Sequence, residues 1–361
     1  MDLSSVPALD SHCHPVLRPP FCDRLDYASA FSEAPEPAPD ARHTLFFRRS
    51  LRDMGTLLDC EPTLEAVLQA RSALGYDGLA QRCIEAAGVT ELLMDDGLTP
   101  DRCWPLVWHE QFAGVRRLLR IERVAEDQFR SREDFSTFLE RFQALLEVAE
   151  AAGFKTIAAY RTGLDVAPAT RGDAESAYNA WGGGRLARKP LNDYLVHVAL
   201  EVAAYRGLPV QFHTGFGDPD LELSRSNPLL LRPVIEAFPR VPLVLLHAGY
   251  PYAREAGFLA SVYPNVHLDF GLAVPFLSVA GMRATLSMLI ELAPLSRLTF
   301  SSDASRIPDL YYLGALWGRR ALGRVLEDAV REGDLTATEA EMAARQILWE
   351  NASQLYAGVE S

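Results

Sequence analysis

The stretch ALDSHCHPVL (residues 8–17) begins the pattern that decides the fold of this chain. It is a short apolar run that ends in two histidines, His12 and His14, one residue apart. Because successive side chains of a strand alternate between its faces, the two imidazoles should share one side, with Cys13 turned away. Two such histidines also occur by chance, so their meaning depends on the polar residues that later segments supply.

Seven further apolar runs follow along the chain, and helical patterns of period 3.6 separate most of them, as at 134–153 and 191–207. Apolar strands that alternate with helices form parallel sheets, and eight such units predict an α/β fold, a (β/α)8 barrel. The alternative is an open doubly wound sheet. It would need a Gly-rich phosphate turn after the first strand, which DSHCHPVLRPP lacks. The seven runs are TELLMDD (90–96), VRRLLRIE (115–122), FKTIAAYR (154–161), LPVQFHT (208–214), VPLVLLHA (241–248), NVHLDFG (265–271) and RLTFSSD (297–303).

The predicted organisation is a single barrel domain over residues 1–361. The interval between the first two strands is much longer than a βα loop needs, and it carries helical patterns at 44–58 and 62–87. We therefore predict a helical insertion at about 18–88 that packs over the barrel mouth. Residues 315–357 predict C-terminal helices.

The overall composition excludes some classes of partner. The net charge is −13, which argues against a nucleic acid or an anionic membrane as partner and leaves a small-molecule substrate. There is no run of eighteen apolar residues, no signal-peptide pattern and no CxxC pair among the five cysteines. These features predict a cytoplasmic protein, and the sequence leaves a homo-oligomer open.

Four of the predicted strands end in residues that commonly bind metals. The carboxyl ends of barrel strands all open onto one face, so these side chains should meet there. Imidazoles and a carboxylate suit Zn²⁺ or a similar divalent ion that activates water for attack at neutral pH. Taken singly, each histidine would more often be structural, and the prediction depends on the whole set. The set is His12 and His14 on the first strand, His213 on the fifth, His247 on the sixth and Asp303 on the eighth.

Further polar residues are candidates for binding the substrate. Guanidinium groups at the barrel mouth suit a carboxylate-bearing substrate, although salt bridges within the protein explain them equally well. The candidates are Arg120 and Glu122 at the end of the third strand, Tyr160 and Arg161 at the end of the fourth, Gln211 on the fifth, and Arg306 after the eighth.

The chain resembles the amidohydrolase superfamily, in its amidohydrolase 2 branch, and is similar to the amidohydrolase-like domain of FluG-type proteins. The resemblance runs almost from end to end. The segments that carry it are LDSHCHP, FSEA (31–34), MDDGL (94–98), FKTIAAYRTGLD (154–165), FHTGFGD (212–218), LLHAGYP (245–251), NVHLDFGLA (265–273) and FSSDAS (300–305).

This resemblance implies roles for the strand-end residues. It implies that His12, His14, His213 and Asp303 bind a metal, usually zinc. It also implies that His247 is a catalytic histidine or a second ligand, and that Asp303 is the base that takes a proton from water. Binuclear relatives carry a carboxylated lysine at the carboxyl end of strand four. Lys155 is predicted at the start of that strand, which favours a mononuclear site.

The function expected is therefore that of a metal-dependent hydrolase acting on carbon–nitrogen bonds. The substrate would be a small carboxylate-bearing amide, of a γ-glutamyl-like kind by analogy with the FluG-type proteins. Two alternatives are weighed against it. A metal-dependent non-oxidative decarboxylase would use the same residues, and a regulatory barrel without turnover would have no need of His247 and Asp303 together.

Overall fold

Eight parallel strands form one sheet in chain order in this computed structural model, which describes residues 1–131 and 133–358. Most of these strands are short and buried along their whole length, as expected when helices cover a parallel sheet. The strands are β1 (Ala8–Cys13), β2 (Val89–Asp95), β3 (Gly114–Arg120), β4 (Gly153–Thr156), β5 (Val210–Phe212), β6 (Leu243–Leu245), β7 (Val266–Asp269) and β8 (Leu298–Thr299).

Backbone hydrogen bonds close the sheet into a barrel. Each strand pairs in parallel register with the next, from β1 to β8. The Ser11 amide then donates to the Phe300 carbonyl, and the Asp303 amide donates to the His12 carbonyl, both at 3.0 Å. These bonds join β1 to the segment that follows β8, and they confirm the predicted (β/α)8 barrel.

Helices surround the barrel and are bounded by ordinary capping signals. The side chain of Asp134 accepts a hydrogen bond from the Thr137 amide at the start of the sixth helix, and Gly207 ends the ninth in the left-handed conformation. The helices are α1 (Phe21–Arg24), α2 (Leu45–Leu58), α3 (Leu64–Ala87), α4 (Leu106–His109), α5 (Ile121–Gln128), α6 (Phe135–Val148), α7 (Ala158–Arg161), α8 (Arg171–Asn179), α9 (Lys189–Arg206), α10 (Arg232–Ala237), α11 (Ala253–Val262), α12 (Ala273–Phe276), α13 (Val279–Ile290), α14 (Asp309–Glu332), α15 (Ala337–Arg345) and α16 (Asn351–Leu355). Among them, no helix has both the length and the apolarity that a bilayer crossing requires.

The helical insertion between β1 and β2 contains α1, α2 and α3. Phe46 of α2 packs on Phe276 and Trp317, with ring centroids 4.7 and 5.6 Å apart. The longest insertion helix, α3, packs against α14 on the outside of the barrel and is interrupted at Gly75. The insertion thus contacts both the outer helices and the chain that follows β7. The domain limits, residues 1–361 with an insertion at about 18–88, stay a prediction.

Two apolar clusters hold the barrel together. The larger one lies between the sheet and its helices. The smaller one lies inside the barrel towards its amino-terminal end, where the ring of Tyr356 packs against strand residues and its hydroxyl accepts a hydrogen bond from Gln211 Nε2. Its members are Leu9, Leu93, Leu118, Val244, Leu246, Ala352 and Tyr356.

Strands β3 and β4 end earlier than the sequence pattern predicts. The run FKTIAAYR reads as one strand, but the structure ends β4 at Thr156 and begins α7 at Ala158. The hydroxyl of Thr156 donates to the carboxylate of Glu122 and accepts from the Ala158 amide, which favours a turn at this point. This difference changes the position of every polar residue near the end of β4.

Candidate active site

The strand-end residues meet at the carboxyl-terminal face of the barrel, as the sequence predicts. His12 lies within β1 and His14 just after it, with ring centroids 5.0 Å apart, so the two imidazoles share one side. His213 and His247 follow β5 and β6, and Asp303 follows β8. The backbone bond from the Asp303 amide to the His12 carbonyl fixes the first and last of these elements to each other.

Asp303 lies at the centre of this group. Its Oδ1 atom is 3.3 Å from His12 Nε2 and 3.4 Å from His14 Nε2. His12, His247 and Asp303 each place a ligand atom within 4.8 Å of the others, and His12, His14 and Asp95 form a second such group. Two imidazoles and a carboxylate in this arrangement are a donor set of the kind that binds Zn²⁺.

Several polar atoms of these residues are buried without a hydrogen-bond partner. Within the part of the chain that the structure describes, His12 Nδ1, His247 Nδ1 and Asp303 Oδ1 all have this property. Buried polar atoms in folded proteins are almost always satisfied, so this cluster needs an additional charged or polar group. The residues present therefore fit a divalent cation held by Asp303 and the surrounding imidazoles.

Hydrogen bonds on the far side of the rings orient two of the histidines. His14 Nδ1 lies 2.9 Å from the Asp95 carbonyl and donates to it, which leaves the Nε2 lone pair facing Asp303. His213 Nε2 donates to the Phe216 carbonyl at 3.1 Å, and its Nδ1 faces His247 Nε2 at 3.1 Å. His247 thus comes close enough to bind the same metal ion. Which of His213 and His247 is a metal ligand and which is the catalytic histidine stays a prediction.

Burial sets the protonation of the site. It lowers the pKa of His12 to about 4, with help from the ammonium of Lys155, and it lowers the pKa values of His213 and His247 well below the usual range. Burial would raise the pKa of Asp303, but the histidines around it, His247 first, hold that pKa well below its usual range. These directions favour neutral imidazoles and an ionised carboxylate at pH 7.

Lys155 is the main residue whose position the sequence pattern predicted wrongly. The sequence pattern predicts it at the start of strand four, but β4 ends at Thr156, so Lys155 lies at the carboxyl end. Its Nζ is buried, 3.1 Å from His12 Nε2, and burial lowers the pKa of Lys155 to about 8. The position of Lys155 is therefore no longer an argument for a mononuclear site. The signal for an inward-facing position is a single charged residue near the start of the otherwise uncharged run FKTIAAY (154–160).

Two of the predicted substrate-binding arginines are already paired. The Arg120 guanidinium donates to both carboxylate oxygens of Asp95, and both side chains are buried. Burial would raise the pKa of Asp95, but Arg120 lowers it below its usual range. Arg161 is 3.0 Å from Glu126 and lies in α7 rather than on a strand. Both arginines line the cavity above the histidines (the catalytic cavity), where these carboxylates neutralise them.

The remaining predicted residues divide into two groups. Arg306 and Tyr160 line the cavity of about 300 Å³ above the histidines. Glu122 and Gln211 are buried beside it and hold the scaffold: Glu122 accepts from Thr156 and the Ile157 amide, and Gln211 donates to the Ser11 carbonyl and Tyr356. A substrate role for these two is not supported by any cavity contact.

Two residues that line the cavity are not among the site residues predicted from the sequence. Glu33 comes from the insertion and Asp218 from the loop after β5, and both line the cavity with Arg306. Burial raises the pKa of Glu33 to about 7, although Arg306 opposes the shift. Neither carboxylate has a salt bridge within 4.0 Å among the described residues. FSEA and FHTGFGD, which contain them, were among the segments that carried the family resemblance.

The backbone at this face is strained at several positions. His247, Asp303 and Arg306 have φ values of 65°, 51° and 64°, in the left-handed region that residues with a Cβ rarely adopt. Such conformations persist where the surrounding structure holds them, and they concentrate at functional sites. Here they aim side chains from the ends of β6 and β8 into the cavity.

Comparison with known proteins identifies the family. A family model described as amidohydrolase matches residues 122–358. The protein fluG of Emericella nidulans is 34% identical over an alignment that covers 98% of this chain but only 46% of the relative, so the chain spans about half that protein's length.

Solved structures agree with this assignment. A protein from Lactobacillus casei, provisionally described as a metal-dependent hydrolase, is 32% identical with a TM-score of 0.89, covering 99% of this chain and 97% of the other. Uronate isomerase from Thermotoga maritima has a TM-score of 0.68 at 12% identity, covering 98% and 95% of the two chains, and shares the fold. With a family match over most of its length and this barrel architecture, the chain belongs to the amidohydrolase family.

Proposed function

We propose that this protein is a metal-dependent hydrolase that cleaves an amide or other carbon–nitrogen bond of a small, carboxylate-bearing substrate. The observation that carries the proposal is the position of Asp303, whose carboxylate is 11% exposed and lies between the Nε2 atoms of His12 and His14. Its Oδ1 atom has no hydrogen-bond partner, and it opens onto a cavity of about 300 Å³.

The cofactor we propose is one divalent metal ion, with zinc as the expected metal. His12, His14, His213 and Asp303 are the proposed ligands, with His247 within reach as an alternative to His213. When bound, such an ion supplies Lewis-acid activation of water and of the substrate carbonyl. Because Lys155 lies at the carboxyl end of β4, where binuclear relatives carry a carboxylated lysine, the number of metal ions per chain has to be measured.

The side chains of this site handle the protons of the reaction. Asp303, ionised at pH 7, accepts the proton of the attacking water and passes it to the leaving nitrogen. His247 lies 3.1 Å from His213 and lines the same cavity, where it would stabilise negative charge that develops on the carbonyl oxygen. Arg120 and Asp95 neutralise each other and hold the wall behind His14.

Charges at the cavity mouth support a substrate with groups of both signs. Arg120 and Arg161 are paired with carboxylates, which leaves Arg306, bonded to the Ser29 carbonyl at 3.2 Å, to bind a substrate carboxylate. Glu33 and Asp218 line the same cavity and suit an ammonium group. A γ-glutamyl-like amide carries both groups on one carbon, and we propose that substrate class.

The proposal extends to partners and location. The net charge of −13 makes a nucleic-acid partner unfavourable, and a small molecule is the proposed partner. A cytoplasmic location is proposed from the sequence features, and a homo-oligomer is compatible with them.

Metal analysis and an amide panel test the proposal together. Purified protein should contain stoichiometric divalent metal, lose hydrolysis on chelation and regain it when Zn²⁺ is added. A γ-glutamyl amide should release its amine, while the His12→Ala variant should lose both metal and activity. Metal-free protein with full activity would contradict the proposal, and release of CO₂ instead of amine would favour the decarboxylase alternative.

A further inference from the structure

A second cavity lies outside the barrel, where the insertion helix α2 meets α13 and α14. Its volume is about 210 Å³, smaller than most sites for drug-sized ligands. One wall is apolar and the other carries guanidinium groups. The lining residues are Arg49, Val279, Met282, Trp317, Arg320, Ala321 and Arg324.

The charge of this cavity is opposite to that of the molecule. Three arginines line it, whereas the whole chain has a net charge of −13. The only carboxylate bonded to its lining residues is Asp53, which accepts from Trp317 Nε1 at 2.7 Å and from Arg320 at 3.1 Å, among the residues described. The Asp328 carboxylate, one turn beyond Arg324, is already paired with Arg283 and Arg331. The cavity therefore carries an excess of two positive charges.

Arg49 gives this cavity a buried cationic wall. The residue is only 7% exposed, and its guanidinium lies over the ring of Trp317 at 4.0 Å. One terminal nitrogen donates to the carbonyls of Pro275 and Leu277, but Nε is buried without any partner. An unsatisfied donor on a buried charged group is costly, and an anion in the cavity would relieve that cost.

We propose that this cavity binds a small organic anion, with a carboxylate or phosphate head group and a compact apolar body. The head group pairs with the guanidinium groups of Arg320 and Arg324, and it lies beside the buried charge of Arg49. The apolar body packs on Met282, Val279 and the indole of Trp317. This site is separate from the catalytic cavity, so its ligand is an effector or a stabilising ion rather than a substrate.

Binding should also stabilise the chain between the two cavities. Arg49 holds the carbonyls of Pro275 and Leu277, which follow Leu272, and Leu272 lines the catalytic cavity. A ligand that binds only the folded chain raises its thermal midpoint, and the midpoint keeps rising with the logarithm of the ligand concentration above Kd.

Calorimetric titration with defined probes tests this site. Benzoate and phenyl phosphate represent the two head groups, and benzyl alcohol is the neutral control. We expect saturable binding of at least one anion, with a Kd on the order of 0.1–1 mM at low salt and no binding of the alcohol. The Arg320→Gln/Arg324→Gln double variant, which changes only half-exposed or exposed side chains, should weaken binding at least about tenfold.

Two variants locate the bound anion. Arg331→Gln, on the same helix but outside the cavity, should bind as the unchanged protein does, and Arg306→Gln alters the catalytic cavity without touching a residue that lines this one. Absence of saturable binding up to about 10 mM would overturn the proposal. Binding that survives the double variant but is lost in Arg306→Gln would also overturn it, since the anion would then lie in the catalytic cavity.

Discussion

At the amino-terminal end of the barrel the interior is filled by leucines, a valine and the ring of Tyr356, whereas the carboxyl-terminal end presents histidines, a lysine and an aspartate. Gln211 separates the two halves and donates to Ser11 on one strand and Tyr356 below. Most side chains of both halves are buried, and the apolar half is sealed more completely. They differ in whether their polar atoms are satisfied by the protein itself.

The amino-terminal half of the barrel interior therefore provides stability, and the carboxyl-terminal half provides the candidate catalytic groups. Apolar side chains in the amino-terminal half gain free energy from leaving water. The carboxyl-terminal half holds charged groups out of water, with a strained backbone at His247 and Asp303, and both features oppose folding. Substitutions in the two halves should therefore affect different properties of the protein.

The largest effect is expected from Asp303→Asn. The amide keeps the shape of the side chain but cannot take a proton from water, so kcat/KM should fall by roughly 10³-fold or more. The free energy of unfolding of the metal-free protein should fall by far less than this loss of activity implies, although it should fall somewhat, because the low pKa of Asp303 shows that its surroundings favour the ionised carboxylate. Steady-state hydrolysis and urea unfolding measure both. A variant that loses stability but keeps its activity would break the contrast between the two halves.

The next effect is expected from Leu118→Ala in the amino-terminal half. Removing this fully buried side chain should lower the free energy of unfolding by about 3 kcal/mol, with kcat/KM of the folded protein nearly unchanged. Leu292→Ala, at a position 61% exposed, is the matched control and should change stability by less than about 0.5 kcal/mol. Loss of activity in folded Leu118→Ala protein would show that the halves are not independent.

A smaller effect is expected from pH at His109, which lies on the carboxyl-terminal side of β2. Its Nε2 accepts from the Val16 amide, and burial lowers the pKa of His109 to about 4. Because the folded pKa lies below the unfolded value of about 6.5, the unfolded chain binds the proton more tightly, and stability falls as the pH drops through this window. The loss should reach about 2 kcal/mol at pH 5.

The His109→Gln variant isolates this contribution. Glutamine keeps a donor and an acceptor but does not titrate. The difference in unfolding free energy between the two proteins, measured from pH 8 to pH 5, should follow the loss described for His109. A difference that does not depend on pH would contradict the assignment of a neutral, buried imidazole.

The smallest effect is expected at the boundary between the halves. Gln211→Met preserves the shape of the side chain but leaves the Ser11 carbonyl and the Tyr356 hydroxyl without a donor, so stability should fall by about 1 kcal/mol. Activity should change little, because Gln211 does not line the catalytic cavity. Urea unfolding with an activity assay distinguishes this outcome from the large loss of kcat/KM that a substrate-binding residue would show.

The barrel and its strand-end residues could be predicted from sequence because both depend on local patterns. Apolar runs alternate with helical segments, and His12, His14, His213, His247 and Asp303 each stand at the end of such a run. The structure brings all five to one face.

The contacts around those residues could not be predicted, because they depend on where each strand stops. The run FKTIAAYR contains no glycine or proline to mark the end of a strand, and only the tertiary bonds of Glu122 to Thr156 and the Ile157 amide show that β4 ends there. Pairing of Arg120 with Asp95 is likewise a contact between strands. Glu33 reaches the cavity from an insertion whose path no periodicity defines.

The position of Tyr356 has a consequence for the order in which the molecule folds. The ring that closes the amino-terminal end of the barrel follows all eight strands in the chain, and it packs with Ala352 against residues as distant as Leu9. During synthesis the strands therefore leave the ribosome before their inner surface can be sealed, with apolar strand faces open to water. Completion of the native barrel is then a late event, and a nascent chain lacking residues 351–356 should remain open to proteases and chaperones.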